Sequence, residues 1–195
     1  MFSTANLTLA TPHDLPLSDA QFYALCAANR ELRIERNSNG DIVIMAPTGG
    51  ETSRRNSSIG GQLWLWNRRT KLGVVFDSAG GFHLPNGADR APDAAWIPNA
   101  WWERLSVAER ERFLPLSPLF AIELRSRTDR IGDLREKMRE YIENGTELGW
   151  LLDPAERRVE VSRPGVAVEV LVDVARVSAE PVLPGFELEL ADIFG

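Results

Sequence analysis

Hydrophobic and polar positions repeat along this chain with two different periods, and each change of period marks an element. Ser18-Asp19 can cap a short helix running to about Asn29. Leu32 to Glu35 and Asp41 to Met45 read as two strands, and Asn37-Ser38-Asn39-Gly40 between them supplies hairpin turn chemistry. From Thr48-Gly49-Gly50-Glu51 the period lengthens, and Ile59, Leu63 and Trp66 recur at steps of four and three on one helix face that ends by Gly73. Gly60 and Gly61 are poor helix formers, so their small size predicts close packing against a neighbouring element. Val74-Val75-Phe76, Gly80 to Leu84, Asp93 to Ile97 and Leu119 to Leu124 follow as strands, punctuated by Pro98 and Pro115-Leu116-Ser117-Pro118. A second long helix is expected from about Arg130 to Glu143, stopping at Asn144-Gly145. Trp150-Leu151-Leu152 reads as a buried strand, while Val159-Glu160-Val161 and Val168-Glu169-Val170 alternate as half-exposed antiparallel strands do. Residues 1–17, with Pro12 and Pro16, read as a loose lead-in to one domain over 18–195. The order predicts an α/β (α+β) fold, a mixed central sheet flanked by helices with additional antiparallel strands.

Composition narrows the classes. Of the 195 residues, 44% are hydrophobic and 26% charged, an ordinary globular mixture that argues against disorder beyond the ends. No apolar run approaches the ~20 residues of a spanning helix. The first ten residues lack the pattern of a signal peptide, so a cytoplasmic location is expected. Cys26 is the single cysteine, so no internal disulfide can form, and it reads as a small apolar residue on a helix face. The net charge of −6 argues against tight, sequence-blind DNA binding. A nuclease is still compatible, because an acidic metal site and a local basic patch can coexist with an acidic whole. Basic residues do cluster in Arg54-Arg55, Arg68-Arg69-Thr70-Lys71 and Arg125 to Arg139, although such clusters are commonly solvated helix faces. His83 lacks a second histidine at metal spacing and reads as a satisfied strand histidine. Most of the six tryptophans read as core or dimer contacts.

The candidate chemistry lies in three places. Asp93 opens the apolar strand Asp93-Ala94-Ala95-Trp96-Ile97, and Glu123 sits near the end of Phe120-Ala121-Ile122-Glu123-Leu124. Charges on strands buried on both faces are costly unless paired or bound to metal. Lys137 shares a helix face with Leu134 and Tyr141, which turns its amine inward, where burial lowers a lysine pKa or an acid holds it. Each residue also has a plainer explanation: Asp93 caps a turn, Glu123 pairs with a structural arginine, and Lys137 snorkels. Together they favour one site.

The ordered stretches carry a resemblance. They are Thr48-Gly49-Gly50-Glu51, Leu84-Pro85-Asn86-Gly87, Arg90 to Ile97, Ile122-Glu123-Leu124-Arg125-Ser126, the Lys137 helix, Gly149 to Pro154 and Val182-Leu183-Pro184-Gly185-Phe186. This set resembles the Uma-two family of restriction-endonuclease-like nucleases in the PD-(D/E)xK superfamily. The resemblance implies a restriction-endonuclease-like fold and a metal-dependent endonuclease acting on DNA. Asp93 and Glu123 would ligate Mg²⁺ or Mn²⁺, with the Leu124 backbone carbonyl as a candidate third ligand. The superfamily lysine usually follows the glutamate by two residues, where this chain has Arg125; Lys137 would be the migrated lysine. Arg125 can hold phosphate charge but is a poor general base. Glu51 resembles the helix acid of many superfamily members, and equally suits the N-terminus of a helix as a favourable charge. A homodimer is expected from the β-rich tail, the tryptophans and the resemblance. The competing readings are a catalytically silent binding or regulatory domain and, last, a two-carboxylate glycosidase.

Overall fold

The computed structural model describes residues 6–11 and 17–195. Part of the expected lead-in, His13 and both prolines included, lies outside those residues. Within the lead-in, β1 (Leu7–Leu9) runs along the edge of a small sheet. Helix α1 (Asp19–Ala28) starts at the Ser18 cap, whose hydroxyl accepts from the Gln21 N–H while the Gln21 side chain accepts from the Ser18 N–H. Strands β2 (Ile34–Arg36) and β3 (Ile42–Ile44) form the expected hairpin, with Gly40 at φ 93° closing the turn.

The long helix α2 (Gly50–Thr70) buries Ile59, Leu63 and Trp66, and Lys71 caps it in the left-handed conformation. Gly73, expected to end that helix, instead begins β4 (Gly73–Asp77), where a Cβ would lie 2.1 Å from the Ile97 carbonyl oxygen. Gly60 and Gly61 correct the sequence reading: no atom lies within 4 Å of a Cβ built at either position, so neither allows a close approach. Next come β5 (Phe82–His83), β6 (Asp89–Arg90) and β7 (Ala94–Pro98), then the short helices α3 (Asn99–Trp102) and α4 (Val107–Arg110). Strand β6 and both short helices had too few residues to carry a period. Strand β8 (Phe120–Leu124), helix α5 (Ile131–Glu143) and β9 (Leu148–Asp153) form a parallel crossover. The chain ends through β10 (Arg158–Ser162), β11 (Glu169–Val172), β12 (Arg176–Ser178), β13 (Glu187–Glu189) and α6 (Ala191–Phe194).

The central sheet runs β11-β10-β9-β8-β7-β4, with only β8 and β9 parallel. The second sheet runs β1-β3-β2-β6-β5, and β12 pairs with β13. Side chains alternate across the central sheet with period two. Phe120, Ile122, Trp150 and Leu152 share one hydrophobic cluster with Ile59, Leu63 and Trp66 of α2. Ala121 and Leu151 share the other with Met138 and Tyr141 of α5. Glu123, in phase with Ala121, therefore faces α5. At Gly149 a Cβ would lie 2.1 Å from the Met138 sulfur, so the missing side chain lets α5 settle against the sheet. Two strands differ from the half-exposed expectation, and β11 is exposed at three of its four positions. β10 is not half-exposed: Glu160 is buried along with Val159 and Val161, because Arg135 of α5 reaches over it.

Candidate active site

Asp93 lies immediately before β7, and the pairing of Ala94 with Ile122 places it beside Glu123 on β8. One carboxylate oxygen, Oδ2, accepts from the Leu124 N–H at 2.9 Å, taking the place of a backbone partner at the strand end. The other, Oδ1, accepts from Asn56 Nδ2 of α2 at 2.9 Å. Burial raises the Asp93 pKa against the opposing pull of the Leu124 N–H, Lys137, Arg33 and Asn56.

Glu123 Oε1 accepts from the Tyr141 hydroxyl at 3.0 Å and lies 2.9 Å from Lys137 Nζ. Burial pushes Glu123 up to about 7; Lys137 opposes this, and the neighbouring Asp93 and Glu35 push it further up. Lys137 reaches down from α5 because its position matches that of Tyr141 one turn later. Its amine donates to Glu35 Oε1 at 2.7 Å. Burial alone would lower the Lys137 pKa, but Glu123 and Glu35 outweigh it and hold the amine above the usual lysine range. Lys137 is thus held by acids, the second of the two outcomes its inward position predicts.

Glu35, on β2, escaped the sequence reading. It is buried, and it accepts from the Ala91 N–H at 3.0 Å and from Arg90 at 3.3 Å as well as from Lys137. Burial works to raise its pKa, but Lys137 and Arg90 hold it below the ordinary glutamate value. Arg90 also pairs with Glu140 at 2.5 Å. The centre therefore gathers Asp93, Glu123, Glu35 and Glu140 around Lys137 and Arg90, with more acid than base.

Whether a cation suits this centre turns on its oxygen donors. Among the described residues no group of three or more His, Cys, Asp or Glu side chains could hold a metal ion. Beside Asp93, however, lies the Asn56 Oδ1 atom, which is buried and, among the described residues, without a hydrogen-bond partner. Two carboxylates and an unsatisfied amide oxygen are a hard donor set, and Mg²⁺ takes one or two carboxylates and fills its other positions with water and phosphate. These residues fit Mg²⁺ or Mn²⁺.

A sequence family described as "Putative restriction endonuclease", Uma2, matches residues 19–191. The chain belongs to the Uma2 family. Its fold is similar to the crystal structure of "a putative nuclease belonging to DUF820" from Anabaena variabilis ATCC 29413. The TM-score is 0.74 at 21% identity, over 92% of this chain and 98% of the other. Comparison with curated proteins found no match.

In this Uma2 chain two of the remaining expected site residues, Arg125 and Glu51, pair outside the centre. Arg125 is one residue beyond β8; its N–H donates to the Leu152 carbonyl, and its guanidinium pairs with Asp153 at 2.7 Å. Leaving the strand frees it from the period-two rule that would have aimed it with Glu123. Glu51 is 57% exposed in the first turn of α2 and pairs with Arg54 at 2.7 Å and Arg55 at 3.2 Å. Leu124 is buried, with its N–H on Asp93. His83 sits 2.9 Å from Asp89, as a satisfied structural histidine would. No sequence signal marks Glu35: Arg33-Ile34-Glu35-Arg36 has the look of a solvated strand, and its partner Lys137 is 102 residues away.

Proposed function

We propose that this Uma2 protein is a Mg²⁺- or Mn²⁺-dependent endonuclease that hydrolyses DNA phosphodiester bonds at the Asp93–Glu123 centre. The observation that carries this reading is Lys137, whose buried amine crosses from α5 to Glu123 beside Asp93. A site with a migrated lysine of the PD-(D/E)xK type needs such a contact. Asp93 and Glu123 would ligate the cation, with the Leu124 carbonyl as a candidate third ligand. A bound cation supplies an activated water and charge neutralisation at the phosphate.

The chain's own residues divide the remaining work. Lys137, held protonated by Glu35 and Glu123, cannot serve as a general base. Its role is to hold negative charge on the phosphate or give a proton to the leaving oxygen. Glu35 positions that amine. Tyr141 fixes the orientation of the Glu123 carboxyl. Arg33 is near enough to Asp93 to lower its pKa and takes the part of second cation that Arg125, engaged by Asp153, does not fill. Arg125 and Glu51 thereby act in the scaffold.

A catalytically silent domain is the second reading, favoured by the same lysine, since two carboxylates already absorb its charge. Supercoiled plasmid separates the two. The parent protein should nick or linearise it with Mg²⁺ or Mn²⁺ and not with a chelator, and Asp93→Asn should not cleave. Cleavage that survives in the chelator, or in Asp93→Asn, would sink the metal reading. Mn²⁺ binding without cleavage selects the silent domain. The proposal includes a homodimer, which would bring two such centres to one duplex. Light scattering that returns a monomer at every concentration removes that part.

A further inference from the structure

The cluster around Asp93 contains a buried acceptor that the fold leaves unexplained, beside the buried Arg33 Nε, a donor likewise without a partner among the described residues. Asn56 Oδ1, on the inward side of α2, is buried and accepts no hydrogen bond among the described residues. An unsatisfied buried acceptor costs about 1–3 kcal/mol, and such groups in native proteins commonly mark a site that takes a water or an ion. The orientation of the amide is decided by its other end. Nδ2 donates to Asp93 Oδ1 at 2.9 Å, and a carboxylate can only accept, so Oδ1 must be the atom left over. The same side chain therefore ties down one oxygen of an acid and holds its own free oxygen alongside. Nothing in the packing of α2 requires this, because its core contacts run through Ile59, Leu63 and Trp66.

We propose that Asn56 is a further residue of the cation site: its N–H orients Asp93, and its Oδ1 accepts a hydrogen bond from a water in the cation's shell. This rests on the reading of Asp93 and Glu123 as cation ligands. Mg²⁺ gives up its waters reluctantly, so a site with two carboxylates keeps several, and each bound water presents hydrogens that need acceptors. An amide oxygen serves that purpose without adding charge to a centre already rich in acid. Groups that orient ligands in this way commonly change metal affinity 10- to 100-fold when removed. Asn56 acts through Asp93 and the water, as a positioning residue.

The experiment is Mn²⁺ titration by calorimetry of the parent, Asn56→Ala, Asn56→Asp and Asp93→Asn, with crystals of the parent soaked in MnCl₂. Asn56→Ala should weaken Mn²⁺ binding about 10- to 100-fold. Asn56→Asp, which restores an oxygen but cannot donate to Asp93, should recover most of that loss. The soaked crystal should place Asn56 Oδ1 within hydrogen-bond reach of a manganese-bound water. The inference is overturned if Asn56→Ala binds Mn²⁺ as tightly as the parent, or if the soaked crystal leaves Oδ1 away from every metal-bound water. It is overturned too if Asn56→Asp binds no better than Asn56→Ala, since the amide would then matter only as a donor to Asp93. A parent that binds no Mn²⁺, or whose binding survives Asp93→Asn, shows instead that the cation reading itself has failed.

Discussion

Two of the cations on helix α5, Arg135 and Lys137, stand two residues apart, and each meets a buried glutamate of the central sheet. Arg135 grips Glu160 of β10 with Nε at 3.1 and 2.9 Å from the two oxygens and a terminal nitrogen at 2.5 Å. That is a forked match between guanidinium and carboxylate, with Arg158 at 4.0 Å as a second cation and Arg135 itself 44% exposed. Lys137 has a single amine, and it is shared between Glu123 at 2.9 Å and Glu35 at 2.7 Å, with Asp93 close by. The first cluster closes its charge and is complete as it stands. In the second, burial raises the pKa of both Glu123 and Asp93, and for Glu123 the neighbouring acids Asp93 and Glu35 add to the rise. A closed ion pair under a helix explains packing; buried acids with raised pKa values mark the second cluster as the candidate site.

The largest test of that contrast is Asp93→Asn, which should abolish both Mn²⁺ binding in calorimetry and plasmid cleavage, with the fold retained by circular dichroism. Lys137→Met comes next. It should cut the cleavage rate by about 10²–10⁴ while Mn²⁺ still binds, because a proton-transfer or charge-holding group is lost and the oxygen ligands remain. Arg135→Met should leave the cleavage rate unchanged. Equal losses from the two variants would erase the distinction between the clusters.

Acidity provides a third measurement. Burial raises Glu123 from 4.5 to about 7 in the folded protein, so its contribution to stability is fully present below about pH 4.5 and is lost as pH rises through 7. Metal-free protein should lose a few kcal/mol between pH 4.5 and 7 from this group, read by urea unfolding, and Glu123→Gln should flatten the slope. Glu35 works with the opposite sign. Its pKa is depressed, so its contribution is present above 4.5 and lost only as pH falls through its folded value. A stability curve that rises from pH 5 to 8 in the parent would contradict the raised pKa of Glu123.

The smallest effects belong to the scaffold. Arg135→Ala should cost about 1 kcal/mol in urea unfolding, since its exposure screens the pair with Glu160. Glu51→Ala should change neither cleavage nor the melting curve measurably, because its partners Arg54 and Arg55 share solvent with it. A large loss of activity from Glu51→Ala would return that acid to the centre.

Much of this was legible because local periods encode local burial. The hairpin, both long helices and the buried strands β7, β8 and β9 follow from spacing and turn chemistry within stretches of twenty residues or fewer. Asp93 and Glu123 stood out for the same reason: a charge inside an apolar strand is a conflict visible in one dimension. Lys137 was legible through its helix face. Strand β5 shrank to two residues within the expected Gly80 to Leu84, and β6, also two residues long, shows how little a very short element can announce by itself.

What the chain determined alone, then, is which apolar faces turn inward and which charges lie within them. Only the tertiary structure decided which of them meet. Glu35 lies on a hairpin whose sequence looks solvated, and it joins Lys137 because the second sheet sets β2 beside Ala91 and Arg90, a contact between distant segments that no local period records. Strand alternation would carry Arg125 to the face of Glu123, yet β8 ends one residue earlier and Asp153 takes the guanidinium. Asn56 was one polar residue among several on a long helix until packing sealed its oxygen from solvent next to Asp93. Periodicity reports the hydrophobic effect, which depends on burial and has no preferred partner. Ion pairs, hydrogen bonds and cation sites depend on direction and distance at a few ångströms, and those are set by how the layers close.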